Sequence, residues 1–389
     1  MMQDAKAKKY NLKNSNYKIS DIMGMTREEI IEYLFKNDRE LGRNFITECQ
    51  KKENKYYKEL KFLDGEKKLS LTRDNVDFIE AVLRIDSRYK NFSNENDRPS
   101  IEYVKYLQGN KENKNLYKYG SSSYWIKQFI EIIKIIKINK NSEETIIDTL
   151  RLEKKNQKYN QEKGLNFNSE EEIELDLNTI ISGMVYSIDR ENSTRLSAHR
   201  SGNKEGRKNV SEKIYEYIKK NNIEKFIKQL TRKDDFSLIG YITVPKNSEK
   251  ENYHYSFATK FCKYVSNAFD YDKDAMKVFK SENYNYCKDK YYIYDNIIIS
   301  NIEYYIEEYI IKKENKKEHK EKYKVKELIF NKNDYEKIKD KEKAIAEKYK
   351  RFYDCLEKIR QEANERIKKE NKDEISRNEF DHLIWYSNK

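Results

Sequence analysis

The sequence predicts a mainly α-helical protein, and three observations carry that expectation. Only 2 Pro and 10 Gly punctuate 389 residues, which favours helices joined by short polar loops over a turn-rich sheet. Isoleucines and aromatic residues recur three and four apart in one segment after another, the spacing of a helix that buries one face. The third observation concerns the core. Hydrophobic residues make up 37% of the chain and charged residues 38%, a balance that on its own points toward disorder. The 33 Tyr and 16 Phe shift it. A tyrosine buries a large ring and still satisfies its hydroxyl, so a Tyr-rich core can be built with few aliphatics.

Along the chain, Thr26 and Glu29 form a capping box ahead of IIEYLF, and a second helical stretch follows through GRNFITECQKK. Leu60 and Phe62 then alternate, Asp64-Gly65 signals a hairpin turn, and Leu69 and Leu71 alternate on the return. A helix is expected from Asn75 to Ile85. The order helix, helix, hairpin, helix is that of a winged-helix module, and equally that of a helical domain with one small β-hairpin. Residues 86–115 are polar, contain Pro99 and read as a loop. Ser123 is expected to cap an apolar helix on which Trp125, Phe129, Ile132, Ile133 and Ile136 share one face. Another helical stretch covers Ser142 to about Lys155, and the polar run from Lys154 reads as a linker. Helices are then expected over IELDLNTIISGMVYSI, Val210–Lys220, Ile223–Leu230 and YHYSFATKFCKYVSNAF. Between the last two, FSLIGYITVP reads as a turn plus a short extended piece. A helix starting at Asp295, long helical patterns from about Ala344 and a final short segment close the chain. This organisation predicts a helical module over residues 1–160 and a larger helical domain over 170–389.

Net charge is +12, from 80 basic and 68 acidic residues. Most of these solvate the surface, but the excess leaves a field that attracts polyanions. Nucleic acid is the expected partner, DNA ahead of RNA. No apolar run reaches the length of a membrane span and the start lacks an apolar signal core, so a soluble, cytoplasmic chain is expected. Cys49, Cys262, Cys287 and Cys355 form no CxxC pair and the 4 His are scattered. The thiols read as those of a reducing compartment, and no metal or organic cofactor is implied. Oligomeric state is left open.

Three segments, SFATKFCKYV around Lys260, YYIYDNIII around Asp295 and the terminal FDHLIWYSNK, resemble a recurrent trio. The trio is similar to one in bacterial proteins with the helix-hairpin-helix fold of 8-oxoguanine DNA glycosylases, some of which act in phage defence. Its pattern is an aromatic-Ala-Ser/Thr-Lys helix, a Tyr-Pro-Ile-Tyr-Asp helix start and a late Asp-x-x-Leu-Trp. The likeness covers about Phe236 to Lys389. It implies a glycosylase-like domain that removes a modified or damaged base from DNA. On that resemblance Asp295 is the acidic residue that helps expel the base and offsets positive charge on the sugar, beside a pocket for the extruded nucleotide. Lys260 is a nucleophile that would form a Schiff base, or a phosphate or structural residue. The sequence departs from the pattern here. In the archaeal relatives the nucleophilic lysine lies earlier, near the position of Tyr253, and the glycine-rich hairpin before it is replaced by LIGYITVPKNSEKENY. Read without the resemblance, Asp295 is a helix cap.

Two further groups stand out. The loop carrying Arg190, Arg195, His199, Arg200, Lys204, Arg207 and Lys208, with Ser, Asn and Gly between, suits phosphate contact, because arginine pairs bidentately with phosphate and small residues let the backbone approach. The string Arg377-Asn378-Glu379-Phe380-Asp381-His382 matches the RNxxxH pattern of HEPN ribonucleases. There His382 would act as acid or base and Arg377 would stabilise the phosphorane. A catalytically inactive DNA-binding or interaction protein is the remaining reading, in which YNYCKDKYYIYD reads as part of a Tyr-rich helix whose rings stack on single-stranded bases or, at helical spacing, fill the core.

Overall fold

The computed structural model describes residues 68–85, 99–108, 120–138, 176–192, 196, 206–246, 253–272, 286–312 and 324–387. Among these the regular structure is helical, with no β-strand. The helices are α1 (Arg73–Ile85), α2 (Ile101–Leu107), α3 (Ser122–Ile138), α4 (Leu177–Asn192), α5 (Gly206–Asn221), α6 (Ile223–Thr231), α7 (Ser237–Thr243), α8 (Tyr255–Tyr271), α9 (Asn296–Ile306), α10 (Val325–Leu328), α11 (Lys341–Lys369) and α12 (Arg377–Ser387). Among the described residues no helix is long and apolar enough to cross a membrane.

The chain forms two compact units that interleave along the sequence. One comprises Met1–Asn91, Asp295–Ile329 and Tyr353–Lys389, the other Phe92–Tyr294 and Phe330–Phe352. The interleaving has a local cause in the first unit, where α12 packs on α1 and also meets α9. Phe380, Leu383 and Ile384 of α12 are buried, as are Val76 and Ile79 of α1. A charge pair ties the same two helices: Arg73, held by Asp77 of its own helix at 2.5 Å, bonds Glu379 of α12 at 2.7 Å. α9 runs on into a π-helical turn at Glu307–Ile311. From this stretch Tyr305 donates its hydroxyl to the carbonyl of Leu69 at 2.9 Å, and the hydroxyl of Tyr309 accepts the N–H of Leu71 at 2.7 Å. Leu69 and Leu71 are buried and Ser70 is not, the alternation expected of the hairpin's return arm. The other arm and the Asp64-Gly65 turn lie outside the described residues, as do the Thr26 capping box, the helix after it, the Ser142–Lys155 helix and the linker.

The second unit is built around α4, which contacts α2, α3, α5 and α8. On α3, Trp125, Phe129, Ile132 and Ile133 are buried at 3% exposure or less, as the expected apolar face requires. The helix starts earlier than expected: Ser121, not Ser123, caps it, its Oγ accepting from the N–H of Tyr124 at 3.1 Å. Two other expectations are corrected. Residues 86–115 are not all loop, because Ser100 accepts from the N–H of Tyr103 and starts α2 directly after Pro99, the placement in which a proline precedes rather than interrupts a helix. Residues 237–243 are helical rather than extended. Leu238, Ile239 and Ile242 give them one buried face, and at Gly240 a Cβ would stand 2.0 Å from the carbonyl oxygen of Glu342.

At Gly183 of α4 an ideal Cβ would lie 2.2 Å from the Trp125 ring, so the indole sits on bare helix backbone. Alanine in place of a helical glycine is normally worth about 1 kcal/mol of added stability. Gly183→Ala should instead destabilise by about 1–3 kcal/mol, because the ring is forced out of a packed core. Urea unfolding checks this: the midpoint should fall at unchanged slope, whereas a raised midpoint would mean that the indole does not seat there.

Candidate functional site

Asp295 stands immediately before α9 with extended backbone. Its Oδ1 accepts the N–H groups of Ile297 at 2.9 Å and Ile298 at 3.1 Å, which two of the unpaired donors of a helix start require. Its Oδ2 accepts the indole N–H of Trp385 at 3.0 Å. The residue is half-buried. The cap and the packing residue of two separate sequence segments thus meet on one carboxylate inside the first unit. The indole hydrogen bond of Trp385 to Asp295 had no signal in the sequence.

The residues leading to Asp295 belong to the second unit and are not helical, contrary to the reading of the Tyr-rich stretch as a helical stacking surface. Tyr286–Tyr294 is a strap without a sheet to lie in. Its first backbone pairing is an antiparallel bridge between Tyr286 and Arg232, with the N–H of Cys287 donating to the carbonyl of Thr231 at 2.9 Å. Thereafter side chains hold it. The hydroxyl of Tyr349 accepts the N–H of Tyr292 at 2.9 Å and donates to the carbonyl of the same residue at 2.7 Å. The hydroxyl of Thr259, on α8, accepts the N–H of Tyr294 at 3.1 Å. Tyr291 and Tyr292 have no exposed surface, so they are core rings and not a platform for bases.

Lys290 is the charged member of the strap and is 1% exposed. Its ammonium donates to the carbonyls of Gln229 at 2.9 Å, Leu230 at 3.3 Å and Asp235. Gln229 and Leu230 lie in the last turn of α6, whose carbonyls lack helical partners and favour a cation. The rings of Phe236 and Tyr291 stand 5.2 and 4.6 Å from the ammonium, on faces that attract positive charge. Burial lowers Lys290 to about 8, opposed by the nearby Asp235, Cys262, Cys287 and Asp234. Near the strap's start, Asp270 of α8 accepts the hydroxyl of Tyr286 and, at 2.8 Å, the N–H of Asp289. Asp289 has φ +49°, so the turn there needs this anchor. Burial lifts Asp270 to about 7.

Lys260 lies on α8 next to Thr259 and is 8% exposed, and Lys263 one turn on is 2% exposed. Neither is presented as a surface phosphate contact. Cys262, Cys287 and Cys355 are free and buried, and burial pushes Cys262 and Cys355 up to about 12. Among the described residues no group of His, Cys, Asp and Glu is arranged to hold a metal ion.

Of the basic loop, Arg195, His199, Arg200 and Lys204 lie outside the described residues. Arg190 is exposed at the end of α4, and Lys208 is exposed with Glu212 3.8 Å away. Arg207 is committed inward. It pairs with Asp189, which is 2% exposed, at 2.6 Å, and its guanidinium lies 5.3 Å from the centre of the Tyr186 ring. The other oxygen of Asp189 accepts the N–H of Leu196 at 2.9 Å. Asp189, which sequence reasoning missed, therefore holds both Leu196 and Arg207.

Arg377 and His382 point to different helices of the first unit. Arg377 bonds Glu357 of α11 at 2.8 Å, beside the Tyr353 ring, while Nδ1 of His382 lies 2.6 Å from Glu80 of α1. Glu379 between them pairs with Arg73. The RNxxxH string thus supplies two ion pairs and one imidazole–carboxylate contact that fasten α12 to its neighbours. No family model, no curated protein and no solved structure matches the chain.

The raised value at Asp270 sets a pH dependence. The folded chain keeps a proton there that the unfolded chain releases between the ordinary carboxylate range and about 7. Stability from this group is therefore highest in acid and is lost as pH rises through that window. An asparagine can accept from Asp289 and donate to the Tyr286 oxygen. Asp270→Asn should then reduce the stability difference between pH 5 and pH 8 by about 1–3 kcal/mol, read by urea unfolding at both pH values. An unchanged difference would show that the carboxyl ionises as an exposed one does.

Proposed function

We propose that this chain removes a modified or damaged base from DNA by hydrolysis, with Asp295 as the central carboxylate. The observation that carries the reading is the convergence of three N–H donors on that carboxylate, two from the start of α9 and one from the indole of Trp385. A carboxylate fixed in this way need not reorganise as positive charge develops on a sugar whose base is leaving, the condition under which electrostatic stabilisation is largest. Two of the three segments that resemble glycosylase sequence meet in this contact. The +12 net charge supports a polyanionic substrate. Phage defence is the biological setting suggested by the resemblance.

Lys260 has a secondary place in the reading. At 8% exposure it is a desolvated amine, which suits a Schiff-base nucleophile only if the sugar reaches it. Hydrolysis without strand cleavage is the expected chemistry, and borohydride trapping of a protein–DNA adduct lost in Lys260→Ala would reassign it.

The test is the formation of abasic sites, scored by alkaline strand cleavage, on duplexes carrying oxidised, alkylated or deaminated bases. Asp295→Asn should lower the rate by at least about 100-fold. Asparagine also caps helices well, so the variant should stay folded, within about 1–2 kcal/mol of the parent. Full activity in that variant, or no abasic product from the parent on any such duplex, rules the reading out.

A further inference from the structure

The segment from Tyr217 to Lys233 closes α5 and forms α6, and it carries six basic residues against one acidic. Its apolar residues Ile218, Ile223, Phe226, Ile227 and Leu230 are buried. All six basic residues, Lys219, Lys220, Lys225, Lys228, Arg232 and Lys233, are exposed. Lys225, Lys228 and Arg232 recur three and four apart, so they share the outward face of α6. Lys228 pairs with the one acid, Glu224, at 2.9 Å. Lys225 donates only to the neutral side chain of Asn221, at 2.9 Å. Among the described residues Lys219, Lys220, Arg232 and Lys233 are in no ion pair, whereas Lys246 of the same unit has both Glu212 and Glu216. Of the two acids that follow, Asp235 is bonded to Ser237, and Asp234 stands in a left-handed turn at φ +62°. With Asp234 counted the surface is still strongly positive. Helix stability does not account for it. The dipole favours Lys219, Lys220 and Lys228 in the last turns of their helices, but Lys225 lies in the first turn of α6, where a cation is disfavoured.

We propose that this face of the second unit grips the phosphate backbone of duplex DNA without regard to sequence. The stretch from Lys225 to Arg232 is about 10 Å long at the rise of an α-helix, the axial length of about three phosphates along one strand. Its far end is fixed in place: the N–H of Arg232 donates to the carbonyl of Lys228 at 2.9 Å, and its backbone bridges to Tyr286. Other occupants fit less well. An amphipathic helix enters a bilayer through its apolar face, and here that face is in the core. A protein partner needs an apolar centre to pack against, and the segment exposes no large hydrophobic residue. What suits uncompensated cations on a rigid polar surface is a hydrated polyanion that releases counterions as they bind. The stripe shares with the base-removal reading only the expectation of DNA as partner.

The test compares the full chain with two triple variants. One is Lys225→Gln with Arg232→Gln and Lys233→Gln. The other removes the same charge elsewhere, by Lys332→Gln with Lys337→Gln and Lys339→Gln, where exposed lysines alternate with Asp334, Glu336 and Asp340. All six positions are exposed, so both variants should keep the parent's urea midpoint. Binding to an undamaged fluorescent duplex of arbitrary sequence is titrated across a salt series. The stripe variant should lose about 2–3 from the slope of log K against log salt and bind at least about 10-fold more weakly at about 0.1 M salt. The equal-charge variant should stay within about twofold of the parent. Equal losses in both variants overturn the proposal, because net charge alone would then be the cause. So does a parent that fails to bind the duplex, or one whose stripe-dependent binding is stronger to duplex RNA of the same sequence or to vesicles of equal parts phosphatidylserine and phosphatidylcholine. Failure of base removal looks different. Stripe-dependent binding of undamaged duplex by a parent that makes no abasic sites sinks base removal and leaves the stripe standing. An active parent whose duplex binding is unchanged in the stripe variant sinks the stripe and leaves base removal standing.

Discussion

An extended backbone carries N–H and C=O groups along both edges, and a buried one must find partners for them. In a sheet the neighbouring strand supplies these. Among the described residues this protein has no strand, yet it buries extended segments in both of its units. Side chains take the place of the missing neighbour. Tyr349 makes a donor–acceptor pair with both backbone groups of Tyr292, the arrangement that a β-bridge residue would offer. Tyr305 and Tyr309 do the same jointly for Leu69 and Leu71. The abundance of tyrosine, 33 residues, therefore has a use beyond filling volume: the ring packs while the hydroxyl closes a backbone account that helices alone leave open.

The consequence for the strap is rigidity where a loop would otherwise run. The residues before a helix start are commonly the least constrained part of a helical protein. Here they carry a bridge at Tyr286, a buried ammonium at Lys290, a phenol clip at Tyr292 and a threonine clip at Tyr294. Asp295 follows directly and is held through both of its oxygens. By contrast, Arg207 and the RNxxxH residues, prominent in the sequence, have architectural partners. Arg207 pairs with Asp189, and the RNxxxH residues of α12 are paired with Glu357, Arg73 and Glu80.

Much of the helical layout was legible in the sequence because apolar periodicity reports burial directly. The faces of α3, α8 and α9 and the start of α9 at Asp295 follow from spacing and from capping chemistry, which are local properties. Residues 237–243 misled because aliphatics and β-branched residues beside a proline look extended, and only their packing, with Gly240 pressed on the carbonyl of Glu342, makes them helical. The strap was misread for the opposite reason. Its tyrosines have helix-compatible spacing, and the partners that hold them extended, Tyr349 and Thr259, lie 57 and 35 residues away in sequence. Lys290 carried no signal at all, one lysine among many in a chain with 80 basic residues. Its distinction is the set of carbonyls around it, which exists only in three dimensions.

The central claim is that, beyond its one bridge at Tyr286, the strap's backbone is closed by side chains, and the most direct measurement is residue-resolved amide exchange of Tyr292 and Tyr294 in the unmodified chain. Protection factors in the range of the amides inside α4 are the expected result, since the hydroxyls of Tyr349 and Thr259 hold both protons. Exchange at the rate of an open loop would contradict it.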